Sequence, residues 1–156
     1  KIKIVMKQFI LKYVDDCEGW KTAIKQLHWD ARNLEQHKLC DEIAETIADF
    51  QDQVSEVEQS ISGNLALNKL QPTKYKITTL KNFINDVIDT TNKFYKQLEK
   101  AGDKYIGMRS DCESFLSEMQ RKLYLANFTI KEDKRRQRDF QNLVEEITND
   151  VMKQLI

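Results

Sequence analysis

Turn-forming residues are nearly missing from this chain: its 156 residues include 1 proline and 4 glycines. A multi-strand β fold needs a turn every ~8–12 residues, which so few glycines and prolines cannot supply. An excess of charge of one sign is missing too. The 25 Lys and Arg balance the 25 Asp and Glu, so the net charge is zero. That disfavours a strongly basic nucleic-acid binder and an acidic tail protein as readings of the whole chain. No apolar run approaches the ~18 residues of a membrane span, so no membrane partner is expected. The opening Lys1–Lys7 is too short and too interrupted for a signal peptide. Three cysteines, Cys17, Cys40 and Cys112, form neither a CxxC pair nor an even set. They read as reduced thiols in an intracellular, cytoplasmic setting.

What is present is helical periodicity. Ile10, Tyr13, Cys17, Trp20, Ile24 and Leu27 step by threes and fours. Cys40, Ile43, Ile47, Phe50, Val54, Val57 and Ile61 do the same, forming a narrow seam of the kind that bundle helices bury. Gly63 suits a helix stop, and residues 63–76 read as a loop around Pro72. A third segment runs from Ile77 to Leu98 and stops at Ala101-Gly102. A fourth is expected to start at Ser110, with Glu113 completing a capping box, and to continue to Ala126. A fifth covers roughly 132–155, with Phe140, Leu143, Val144, Ile147, Val151 and Leu155 on one side. Short connections predict antiparallel neighbours. The pattern predicts an all-α, antiparallel four-helix bundle over 1–131, with a long connection at 63–76 crossing it. An additional C-terminal helix over 132–156 packs on the bundle or extends from it.

The only two histidines, His28 and His37, sit where the first segment hands over to the second. Beyond them come Asp41, Asp52 and Glu56. Imidazole with carboxylate suits Fe(II), Zn(II) or Mn(II). With His37 at zero on a helical wheel, Asp41 falls at about 40°, Asp52 at about 60° and Glu56 at about 100°. The apolar seam of that helix is centred at about 245°, so the four polar residues share a stripe opposite it. Such a stripe is ordinarily just a solvated face. Distance constrains it further. Asp41 and Asp52 are 11 residues apart, about 16 Å along a helix, whereas metal–ligand bonds are ~2 Å. If all five residues are ligands, they form two half-sites. A two-fold pairing of second helices would join His28, His37 and Asp41 of one chain to Asp52 and Glu56 of its partner, giving a dimer with two equivalent interface sites.

These residues carry a resemblance. Leu27-His28-Trp29 ends the first segment and His37 follows a short turn. Asp41 comes four residues later, and the pair Asp52-x-x-x-Glu56 begins fifteen residues after His37. The run resembles the ferritin-like DNA-binding proteins from starved cells, the Dps family. Residues 110–126 also look like the last bundle helix of that family, so the similarity covers roughly 8–129. The turn between the histidines is shorter than is usual in the family and lacks its Gly-Pro. The helix after about 131 is additional. The resemblance implies a ferritin-like bundle and an intersubunit ferroxidase site. Iron, two ions per site, is oxidised there by hydrogen peroxide and stored as ferric mineral. His28 and His37 are then nitrogen ligands, Asp52 and Glu56 the central carboxylates, and Asp41 an outer ligand. Trp29 lies beside the site as packing or as an electron donor. The family also implies assembly of dimers into a hollow dodecameric shell.

Two other functions compete with iron oxidation. One is a structural or cargo-type helical protein that keeps the fold without the chemistry, with the additional helix serving a partner. The other is a nucleic-acid-associated protein that uses the basic stretch Lys131–Arg138. Zero net charge weighs against DNA compaction, and that stretch reads more simply as a solvated helix start. Trp20 and Trp29 read as core or interface filler. The three cysteines read as small buried hydrophobes.

Overall fold

The computed structural model describes residues 2–65 and 70–155, with side chains from residue 5 onward. The described residues are all-helical, with no strand among them. The long elements are α1 (Ile2–Trp29), α2 (Leu34–Ser62), α3 (Leu80–Ala101) and α4 (Ile106–Gln154). A single 3-10 turn at Asp103–Tyr105 precedes α4.

Helix ends follow local chemistry. Asn33 caps α2 by accepting a hydrogen bond from the Gln36 backbone N–H at 2.8 Å, and Thr79 caps α3 in the same way through Asn82. Gly102, at φ +101°, ends α3 in a left-handed conformation that a Cβ would strain.

One apolar core joins the four helices. At its centre an aromatic chain links one helix to the next. Phe94 of α3 stacks on Tyr13 of α1 at 4.0 Å between ring centroids. Tyr13 meets Phe50 of α2 edge-on at 6.0 Å, and Phe50 stacks on Phe115 of α4 at 4.2 Å. The Tyr13 hydroxyl is satisfied by Thr91, 2.6 Å away.

The residue pairings set the directions. Gln51 donates to the Val14 carbonyl while Asp41 meets His28, so α1 and α2 are antiparallel. Lys122 meets Glu42 and Phe115 meets Phe50, so α2 and α4 are antiparallel. Thr91 meets Tyr13 while Leu80 shares a cleft with Leu27, so α3 also runs against α1. Helices α2 and α3 therefore point the same way, and the chain must return along the bundle between them. Residues 70–79 do so against α1. The Asp15 carboxylate accepts from the Gln71 backbone N–H at 2.8 Å, and Thr73 lies over Gly19, where a Cβ would come within 2.1 Å of the Thr73 carbonyl oxygen.

Three sequence expectations need correction. The fourth and fifth segments are one helix of 49 residues. No proline and no glycine after Gly107 interrupts 106–154, and Lys131–Arg138 is made almost wholly of residues that propagate a helix well. Ser110 does not start a helix. After Gly102 stops α3, the 3-10 turn resumes helical structure at once, and Ser110 falls inside α4. The third helix starts at Leu80, behind its Thr79 cap, so Ile77 lies before it in the connection. Beyond Asp133 helix α4 leaves the core, and every residue from Lys134 to Leu155 is exposed. No helix among the described residues is long and apolar enough to cross a membrane.

Candidate metal centre

The turn between α1 and α2 builds the candidate centre. His28 is the penultimate residue of α1. Its carbonyl accepts from the Ala31 backbone N–H at 3.3 Å, which helps close the turn. Asn33 then starts α2, and His37 and Asp41 stand one helical turn apart at its beginning.

His28 is buried, at 8% exposure. The His37 ring lies over it with centroids 3.7 Å apart and planes inclined by 36°. His37 Nδ1 is 3.2 Å from the His28 carbonyl oxygen. A carbonyl can only accept, so Nδ1 donates there, and in the neutral imidazole Nε2 is the nitrogen that can bind a metal. His28 Nδ1 lies 2.9 Å from an Asp41 carboxylate oxygen, yet it completes no hydrogen bond. A buried imidazole nitrogen without a hydrogen-bond partner beside a carboxylate is a donor set that fits a cation. One ligand atom from each of His28, His37 and Asp41 lies within 4.8 Å of the others. No other group of three such residues occurs among the described residues.

Asp52 and Glu56 are not part of this cluster. Both are exposed, farther along the same unbroken α2. The rise of a helix keeps Asp52 about 16 Å from Asp41 along the axis. One chain therefore holds His28, His37 and Asp41 together and, separately, the carboxylates of Asp52 and Glu56.

No protein-family model, curated protein or solved structure matches the chain.

Trp29, next to His28, is 69% exposed, and the Lys25 ammonium lies 6.0 Å from its ring centroid. Trp20 is a core residue, edge-on to Tyr13 at 5.6 Å. Cys17, Cys40 and Cys112 are free and buried. Burial, with Asp41 adding to it, pushes the Cys40 thiol up to about 11. Burial, with Asp111 and Glu113 adding to it, takes Cys112 to about 12.

Periodicity did not single out two buried charged groups. Lys122 of α4 is buried and bonded to Glu42, the neighbour of Asp41, and also pairs with Glu118 at 3.4 Å. Glu58 is fully buried, with the Ser62 hydroxyl on one oxygen. Its signal was an acid standing four residues after Val54, on the flank of an apolar seam.

Proposed function

We propose that the chain is an iron-oxidising protein of the Dps kind, whose site is shared between two copies. The observation that carries this reading is the His28–His37–Asp41 cluster, with its hydrogen-bond-free buried nitrogen and three ligand atoms within 4.8 Å. Fe(II) is the substrate. His28 and His37 bind it through neutral nitrogens, with Asp41 beside them. Asp52 and Glu56 of a second copy complete the site across a two-fold axis. Iron oxidation draws the electrons from Fe(II), and hydrogen peroxide accepts them in pairs. The fold and spacing support a bundle of the ferritin-like type, and assembly of dimers into a shell follows from the same reading.

The test is anaerobic addition of a few Fe(II) per chain to the apoprotein, then hydrogen peroxide, with ferric absorbance followed over time. The intact chain should oxidise iron fast and saturably, and His28→Ala/His37→Ala should not exceed buffer. A mixing experiment tests the sharing. His28→Ala/His37→Ala and Asp52→Asn/Glu56→Gln should each be inactive alone. Unfolded and refolded together in equal amounts, they should regain about a quarter of the intact sites. Half of the random dimers would be mixed, and each mixed dimer would hold one intact site. No recovery would place the carboxylates outside the site.

A second reading, a helical interaction protein without redox chemistry, is favoured by one observation: the exposed apolar side chains on the free end of α4.

A further inference from the structure

The free end of α4 has a structure of its own to explain. From Arg138 to Gln154 a helix of about 25 Å at the usual rise stands in solvent, with every residue exposed. Most helical stability in proteins comes from packing an apolar face. Such a face exists here. Phe140, Leu143, Val144, Ile147, Val151 and Leu155 are 45–75% exposed, and at about 100° per residue they share an arc of about 120°. The arc continues, with a polar break at Asp133–Gln137, the line of Met108, Phe115 and Met119, which α4 buries in the bundle. The seam that packs on helices below is thus repeated above, without its partner.

We propose that this face pairs with the same segment of a second copy, antiparallel and centred on Ile147. Four features on the chain select that occupant.

The face is complementary to itself. About Ile147, Ile147 meets its own copy and Leu143 falls opposite Val151, so apolar side chains meet in the central layers, while Phe140 falls opposite Gln154 at the ends.

Charge permits the pairing. Glu145, Glu146 and Lys153 lie on the opposite side of the helix, and Gln141 and Thr148 line one edge of the arc. On the other edge, Asp150 falls opposite Val144 and Asp139 opposite Leu155 of the second copy, so no acid stands directly opposite an acid.

Charge also selects the direction. A parallel pair would set the two basic stretches Lys131–Arg138 side by side and bring Asp133 against its copy. The antiparallel pair holds the basic stretches about 37 Å apart, well beyond the ~8 Å screening length of physiological salt.

Finally, the size is sufficient. The two exposed arcs bring together an apolar area on the order of 1,000 Å², where specific interfaces begin. The two bundles, each ending near residue 130, are kept about 50 Å apart, so they do not collide.

None of these residues belongs to the metal centre, so this inference stands or falls apart from the iron reading. The test is the solution mass of the full chain by size-exclusion chromatography with light scattering, beside Ile147→Asp. Ile147 lies beyond the core, so the variant should keep the thermal midpoint of the bundle. It should also run at a lower mass than the intact chain, at half of it where this pairing is the one contact between copies. Single cysteines give the direction. Under mild oxidation Ile147→Cys should form a disulfide-linked dimer. Phe140→Cys should not, because the antiparallel pair sets it about 21 Å from its copy. Equal masses for the intact chain and Ile147→Asp would overturn the pairing. Cross-linking through Phe140→Cys would overturn the antiparallel register.

Discussion

Gly19 shows how one missing atom positions a whole connection. The segment after α2 must return along α1, and its backbone at Thr73 lies so close that a Cβ at position 19 would come within 2.1 Å of a carbonyl oxygen. That neighbour is backbone, held to Asp15 through the Thr73 N–H at 3.3 Å, and cannot swing aside as a side-chain end would. Gly19→Ala should therefore cost about 1–3 kcal/mol, the usual range for overpacking, and lower the thermal midpoint by several degrees. A melt followed by circular dichroism reads it. An unchanged midpoint would mean that the connection does not lie on α1. His28 makes the same point for the site. In sequence it is one of two histidines near a turn, whereas in the fold it is buried under the His37 ring with one nitrogen lacking a hydrogen bond.

At the scale of elements, α4 divides into two functional lengths. Up to Asp133 it supplies core residues such as Phe115 and Met119, and the buried Lys122 that ties it to α2. Beyond that point Lys134 and Gln137 edge a cleft shared with Thr79 and Leu80, and Arg136 pairs with Glu35 at 3.9 Å, between two exposed side chains. Such a pair contributes little. Removing residues 139–156 should therefore leave the bundle standing. In dilute protein the thermal midpoint should move by no more than about 2 °C, the range of surface changes, while the far-ultraviolet helical signal falls in proportion to the residues lost. A drop of many degrees would show that the free end packs on the bundle.

For the whole molecule, the buried thiols and Tyr105 link stability to pH. Burial raises Cys40 from its ordinary 9.0 to about 11 and Cys112 to about 12. Burial and the neighbouring Glu58 raise Tyr105 from 10.0 to about 12. Each group keeps its proton longer in the folded chain than in the unfolded one. Their contribution is thus complete below pH 9 and is lost as pH climbs through the folded values. The midpoint of urea unfolding should be flat from neutrality to about pH 9 in this respect, then fall steadily towards pH 11–12. At pH 7.5 the same thiols should resist iodoacetamide in the native protein and react fully once it is unfolded, because the protonated, buried thiol is a poor nucleophile. Rapid labelling of native protein would contradict the packing.

The sequence by itself determined the helices and their apolar faces. Spacings of three and four, scarce glycine and a single proline leave a chain few other ways to bury its side chains. It also determined that Asp52 cannot share an ion with Asp41 in one chain, because helical rise is a local property. Where helices begin and merge was less legible. Ser110 with Glu113 is a valid start signal, but Gly102 and the turn at Asp103–Tyr105 had already restarted the chain, and nothing local marks residue 131 as inside a helix rather than between two. Only the tertiary structure decided which faces are covered. The seam at Phe115 and the seam at Ile147 obey the same periodicity, yet one lies in the core and the other in solvent. Burial depends on what other elements come to lie alongside, and spacing along a single helix carries no record of that.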